Sequence, residues 1–279
     1  MMKANKKKLH DLLVMAGVVA LFAVVAGLLY SGSLSRQVTN MLIPTSVYIV
    51  LAVSLNLVVG LLGELSLGHA GFMSVGLFSG CLVSIALSQT AMPLAVRMVM
   101  AMLAGGLVAA VFGLLVGLPA LRLRGDYLAI VTLACGEIIK NVITNLDFTG
   151  GALGLNTTAI YAGARELLPY GAVLVLLTVA VMLNLKRSKY GRAIMAIRDN
   201  RIAAESVGLN VTWYKLAVFG GIGSIPGAML GGILLGLIEQ LSKTYISTLW
   251  ADAIVFAVLV VVLVVKPTGL LGKPMQEKV

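Results

Sequence analysis

Apolar residues along this chain fall in long unbroken runs, and the polar residues gather in the breaks between them. The runs are Leu12–Tyr30, Met41–Leu61, Ser66–Ser88, Pro93–Leu118, Tyr127–Leu146, Leu167–Leu185, Ile222–Leu241 and Ala251–Val265. Each is near the roughly 20 residues that carry a helix across a bilayer core. Inside lipid only a helix or a closed barrel satisfies its own backbone. None of the runs alternates as a barrel strand does. The pattern predicts an all-α, polytopic transmembrane helical bundle with about eight visible spans.

Composition points the same way. Hydrophobic residues make up 59% of the chain and charged residues 11%, and the mean hydropathy is +1.02. A soluble domain of this size needs far more polar surface. No stretch is left for an appended soluble catalytic domain. Residues 1–279 therefore read as a single transmembrane domain, with 186–215 as a long loop within it.

Charge orients the bundle. The formal net charge is +10, which in a soluble protein would suggest nucleic acid. Here aromatics do not interleave with the basic residues, so anionic membrane lipid and topology explain them better and no nucleic-acid partner is expected. With the N-terminus inside, one side collects four groups of basic residues. They are Lys3, Lys6, Lys7 and Lys8; Arg122 and Arg124; Lys186, Arg187, Lys189, Arg192, Arg198, Arg201 and Lys215; and Lys266, Lys273 and Lys278. These are 16 of the 21 basic residues. Arg36, Arg97, Lys140, Arg165 and Lys243 remain outside or within spans. The positive-inside rule then predicts a multi-pass protein of a bacterial inner (plasma) membrane with both termini cytoplasmic. The start of the chain is similar to a signal peptide, but Leu12–Tyr30 is long and lacks a small-x-small cleavage site, so it reads as a retained first span.

Enzymatic chemistry is poorly supplied. There is no Gly-x-x-x-x-Gly-Lys-Ser/Thr loop, no His-Glu-x-x-His and no Gly-x-Ser-x-Gly elbow. His10 and His69 are the only histidines, too few for a His-rich metal site. Cys81 and Cys135 lie in apolar runs and read as inert small hydrophobes. Any ATP this protein uses would be hydrolysed by another chain.

Four places attract functional readings. Gly60–Gly71 packs Glu64, Ser66 and His69 among glycines between two apolar runs, and reads either as a shallow turn or as a partly unwound opening into a pathway. Structurally, Glu64 and His69 could instead sit at the interface and satisfy backbone groups. Asp147, Thr149, Gly150 and Gly151 follow the fifth run at its outer end and could line an entrance. Glu137 and Lys140, three apart on one helix, read as a structural ion pair; Asp252 reads as a helix-start residue. In the long loop, Asp199 or Asn200 can cap a short helix over 202–207, with Gly208 closing it. That helix is either a docking knob or a solvated turn whose charges only fix topology. A second glycine-rich run, Gly220–Gly232, suggests a tight helix interface involving Gly227, Gly231 and Gly236.

Asn56–Phe72, Leu121–Leu133, Gly191–Leu209 and Gly220–Gly232, in that order, resemble LivM-type permease subunits of branched-chain amino acid ABC transporters. The resemblance covers residues 45–265. It implies a LivH-type second permease subunit, two cytoplasmic ATPases that bind ATP and magnesium, and a periplasmic substrate-binding protein. This chain itself would bind no cofactor. The resemblance makes Gly191–Gly208 a coupling loop to an ATPase, carried by Gly191, Arg192, Arg198, Asp199, Ala203, Ala204, Glu205 and Gly208. It leaves Glu64, Ser66, His69, Thr149, Gly150 and Gly151 as pathway or gating residues. Glu64 stands where relatives often have Gln, and Ala152-Leu153 replaces a frequent Ser-Asp. Relatives also carry several dozen more residues at Phe219/Gly220; either this chain lacks them or, as the interrupted helix at Phe219 favours, a further segment with an even number of crossings belongs there, which would make about ten spans.

Branched-chain amino acids are the expected cargo, with urea, short amides or other amino acids as the alternative for the same machine. An integral-membrane enzyme or a scaffold is a remote alternative, because too few polar residues converge at one depth.

Overall fold

A computed structural model describes residues 2–64, 66–90, 92–120, 123, 126–211, 214, 225–245, 250–251, 253–255, 257–258 and 261. Among these every regular element is helical. The α-helices are α1 (Met2–Tyr30), α2 (Arg36–Leu57), α3 (His69–Ser88), α4 (Leu94–Ala120), α5 (Asp126–Asn145), α6 (Ala164–Arg187), α7 (Lys189–Asp199), α8 (Arg201–Ser206) and α9 (Ile225–Tyr245). Six helical stretches among the described residues are long and apolar enough to cross a membrane: Asp11–Tyr30, Arg36–Leu62, His69–Ser88, Leu94–Ala120, Tyr127–Asn145 and Ala164–Arg187. The fold is thus an all-α polytopic membrane bundle with six clear apolar spans.

The chain divides into two compact units. The first comprises Met1–Leu61, Gly163–Asp199 and Gly220–Val279. Its helices α1 and α6 run antiparallel and are fastened near both ends. Asp11 forms an ion pair with Arg187, and the Tyr30 hydroxyl donates to the Arg165 carbonyl oxygen at 3.2 Å. Helix α2 starts on Ser35, whose hydroxyl accepts from the Val38 N–H, an N-cap that satisfies an otherwise orphaned donor. It packs against α6 and α9 through small residues. A side chain at Gly171 would meet Ser46 Cβ at 3.3 Å, and one at Gly236 would meet the Tyr48 ring at 3.0 Å. Without a hydrophobic drive between helices in lipid, such close approach supplies the dispersion contacts that hold them. Val175 and Val179 of α6 are fully buried in this unit.

The second unit comprises Leu62–Ala162 and Asn200–Phe219. Here α3 and α4 cross at glycines: a Cβ on Gly105 would fall 2.4 Å from the Gly76 carbonyl oxygen, and one on Gly80 would fall 3.0 Å from that of Ala101. Helix α5 packs on α3 through Gly71 and Gly136, where a Cβ on Gly71 would fall 2.8 Å from Gly136 Cα. Leu128 and Thr132 of α5 have no exposed surface.

Several expectations change. The third helix starts at His69, not Ser66, because residues 66–68 are non-helical and Gly68 lies directly on the α5 backbone. Helix α2 passes into a π-helical turn at Val58–Leu62, which the apolar run alone could not distinguish from α-helix. The loop after α6 contains two helices instead of one. The further segment expected at Phe219/Gly220 falls at residues outside the described ones. Gly227 and Gly231 also lie where side-chain packing is not described, while Gly236 does make the expected close contact. Helix α9 continues to Tyr245, aided by the i,i+4 ion pair of Glu239 and Lys243. Most of the run Ala251–Val265, including Asp252, falls outside the described residues. Cys81 and Cys135 are free, partly buried thiols.

Candidate functional site

The segment that follows α6 opens on a sharp turn. Helix α6 ends at Ser188, whose hydroxyl donates to the Leu185 carbonyl oxygen at 2.7 Å and accepts from the Gly191 N–H at 3.1 Å. Gly191 is required here: a Cβ would fall 2.2 Å from the Leu185 carbonyl oxygen. This lets α7 fold back closely on α6. Helix α7 buries Gly191, Ile194 and Ile197, an i, i+3, i+6 stripe on one helix face, and leaves its basic residues outside. Arg192 donates to the Arg187 carbonyl oxygen at 2.9 Å. Arg198 donates to Asp199 at 2.9 Å and to the Gly60 carbonyl oxygen at 3.1 Å. That second bond joins α7 to the irregular end of α2, where helix carbonyls lack partners of their own. The sequence held a signal for α7, the spacing Gly191-Ile194-Ile197, which the surrounding charges hid.

In the second unit α8 takes the predicted caps. Of the two cap candidates, Asn200 serves; its side-chain oxygen accepts from the Ala203 N–H at 3.0 Å. Gly208 has φ of +83° and completes a Schellman closure, with Gly208 N–H on the Glu205 carbonyl and Leu209 N–H on that of Ala204. Ala204 is buried and Ala203 exposed. Glu205 pairs with Arg201 at 2.8 Å, between the strongly exposed apolar side chains of Ile202 and Val207. The result is a short helix capped at both ends that presents both apolar and charged groups.

Residues 63, 64 and 66–68 enter the second unit as non-helical backbone. Leu67 N–H donates to the Thr132 hydroxyl at 3.1 Å, and that hydroxyl donates to the Ala129 carbonyl at 3.0 Å. A Cβ on Gly68 would meet the Thr132 carbonyl oxygen at 2.4 Å. Thr132 lies six residues into α5, so the irregular backbone reaches roughly 9 Å along that helix. Ser66 is buried; Glu64 and His69 are partly buried, with His69 opening α3. Thr132 was missed by sequence reading, because a lone threonine in an apolar run does not name a partner 65 residues away.

At the other end of α5, Thr149 is buried and its hydroxyl donates to the carbonyl oxygens of Ile143 and Leu146, at 2.5 and 2.7 Å. Gly150 follows at φ +80°, and a Cβ there would strike the Gly154 carbonyl oxygen at 2.1 Å. Gly151 also has a positive φ. Ser66 and His69 flank Leu67 and Gly68, which pack on Thr132 in the first half of α5, whereas Thr149, Gly150 and Gly151 follow the end of that helix.

A cleft of about 270 Å³ in this unit is lined by α3, α4 and α5, with Phe78, Phe112, Ile139 and Phe148 among its walls. Its two hydroxyls, on Ser79 and Thr149, are bonded to backbone carbonyls. The cleft suits an apolar group and offers no partner to a charge. Among the described residues no three His, Cys, Asp or Glu side chains gather as a metal site would require.

Residues 37–223 match the family described as the permease component of branched-chain amino acid transport systems. Over 219 residues the chain is 35% identical to the high-affinity branched-chain amino acid transport system permease protein LivM of Salmonella typhimurium, covering 66% of this chain and 49% of that protein. It is 34% identical to LivM of Escherichia coli over the same length and shares. A shorter stretch of 66 residues is 58% identical to the permease protein LivH of Escherichia coli, covering 24% of this chain and 21% of LivH. The chain spans about half the length of the LivM proteins it matches. No solved structure matches it significantly.

Proposed function

Because the chain belongs to the family of permease components of branched-chain amino acid transport systems, we propose that it is the transmembrane subunit of an ATP-driven importer of leucine, isoleucine and valine in the bacterial inner membrane. The observation that carries this reading is the family match itself, which runs from α2 through α8. The partners are a LivH-type permease subunit, two cytoplasmic ATPases holding ATP and magnesium, a periplasmic substrate-binding protein and the surrounding lipid. Similarity to both LivM and LivH proteins supports a paired permease.

The topology is eight spans with both termini cytoplasmic. The Asp11–Arg187 pair supports it, since the start of α1 and the end of α6 then share a side. So does the Arg198 bond to Gly60, which brings α7 to the inner end of α2. The coupling residues are Gly191, Arg192, Arg198 and Asp199 on α7, and Ala203, Ala204, Glu205 and Gly208 on or after α8. A short helix capped at both ends transmits a push without melting, as coupling between an ATPase and a pathway requires. Glu64, Ser66 and His69 line the inner opening, and Thr149, Gly150 and Gly151 shape the outer one.

The test is ATPase stimulation. The complex purified through this chain is expected to contain two ATPases and to hydrolyse ATP faster with leucine-loaded binding protein. Stimulation by urea-loaded but not leucine-loaded binding protein would sink the branched-chain reading, and failure to bring down any ATPase would sink the importer reading.

A further inference from the structure

One face of α5 changes character halfway along. In its first half that face exposes Ile130 and Leu133. In its second half it exposes Glu137, Lys140, Asn141 and Thr144, which at i, i+3, i+4 and i+7 form one stripe. The opposite face buries Leu128, Thr132, Ile139 and Ile143. All of this lies within the apolar span Tyr127–Asn145. Glu137 stands eight residues before Asn145, so it sits about 12 Å inside the end of the helix.

Charges at such depth are costly and face protein or a water-filled cavity, not lipid. Glu137 and Lys140 touch each other, Nζ to Oε2 at 3.5 Å, but their side chains remain 58% and 66% exposed. The contact is long for a charge-assisted hydrogen bond. Among the described residues it is the only charged contact either group makes. A pair serving only to hold the unit together would be enclosed by neighbours, as the Thr132 hydroxyl is. This pair is instead presented outward, and carboxylate and ammonium each keep bonding capacity for something else.

We infer that this stripe receives the charged end of a zwitterionic α-amino acid on its way across the membrane, with Glu137 taking the ammonium group and Lys140 the carboxylate. The inference rests on the reading of the chain as an amino acid permease. Ammonium and carboxylate of an α-amino acid hang on a single carbon, so their separation suits two opposite charges already in contact. The cargo's ion pair replaces the protein's, and no lone charge is created at any moment. The side-chain amide of Asn141 adds a donor and an acceptor next to the pair. Leu133, one turn earlier, and Ile130 continue the face with apolar surface on which a branched aliphatic side chain rests. The apolar cleft between α3, α4 and α5 does not compete for this role, because it has nothing to offer either charge.

The test uses Thr144→Cys in a Cys81→Ala/Cys135→Ala background, in membranes holding the whole complex. Thr144 bonds only carbonyls of its own helix and neighbours the pair without being part of it. A membrane-impermeant thiol reagent is expected to label it, and leucine to slow labelling. Isopentylamine, which lacks the carboxylate, and 4-methylpentanoate, which lacks the ammonium, are expected not to protect at the same concentration. Glu137→Gln or Lys140→Met should raise the half-protecting leucine concentration roughly tenfold, with Lys140→Arg largely preserving it. Since a single charge left alone can disturb insertion, the double variant Glu137→Gln/Lys140→Met is included; it should reach the membrane at wild-type level and lose protection. Labelling only by a lipophilic maleimide, or undiminished leucine protection in the inserted double variant, overturns the inference. Protection by other zwitterionic amino acids but not by leucine, isoleucine or valine supports the stripe and overturns the branched-chain reading.

Discussion

Arg201 with Glu205 on α8, and Glu137 with Lys140 on α5, are both ion pairs within a single helix, the first half-exposed and the second largely exposed. Their surroundings differ. The first pair lies in a loop rich in basic residues that the charge pattern assigns to the cytoplasm. Water solvates both partners there, and such a pair adds little to stability. The second lies in an apolar span, where an exposed charge needs a reason to exist. An ion pair within one helix is therefore a helix-surface detail in one place and a candidate binding feature in the other. What decides is the medium around the pair, which only the order of spans along the chain reveals.

This contrast can be strained from both sides. The largest effect is expected from Gly191→Val, which forces a side chain against the Leu185 carbonyl oxygen 2.2 Å away and should cost about 1–3 kcal/mol locally. With α7 displaced, co-purification of ATPases and ATP-driven leucine uptake are expected to be nearly abolished. Next comes Lys140→Met, expected to lower leucine uptake roughly tenfold, or about 1.4 kcal/mol, while binding-protein-stimulated ATPase activity persists; uncoupling of the two rates is the readout. Thr132→Val removes the acceptor for the Leu67 N–H and should lower stability by about 1–3 kcal/mol, measured as a fall in Tm of the detergent-solubilised complex. Glu205→Arg should weaken ATPase coupling severalfold, on the order of 1 kcal/mol, while membrane insertion, checked by fractionation, stays intact. The smallest change is expected from Arg201→Ala: it breaks the cytoplasmic pair yet should alter Tm by an amount corresponding to under about 1 kcal/mol. A large loss in Arg201→Ala together with none in Lys140→Met would invert the comparison.

Much of the bundle was legible because lipid leaves few choices. Continuous apolar runs mark spans regardless of side-chain detail, and Leu94–Ala120 or Ala164–Arg187 differ from the sequence reading only at their ends. The caps of α8 were equally readable, since Asn200 and Gly208 act through local backbone geometry. What escaped depended on partners distant in sequence. The hydroxyl of Thr132 meets Leu67, and the guanidinium of Arg198 reaches Gly60; neither residue advertises this in its own neighbourhood. The π-helical turn at Val58–Leu62 escaped because an apolar run reads the same in either helix. Helix α7 was hidden because its buried stripe is only Gly191, Ile194 and Ile197 amid charge. The further segment expected at Phe219 came from resemblance alone, and the residues there lie outside the described ones.

Leucine accumulation by proteoliposomes tests the importer reading most directly. The complex containing this chain is reconstituted with loaded binding protein outside and ATP available to the ATPases, and compared with the same preparation lacking the chain. Leucine, isoleucine and valine are expected to accumulate only when both ATP and this chain are present. Accumulation that persists without the chain, or uptake of urea with none of leucine, would contradict it.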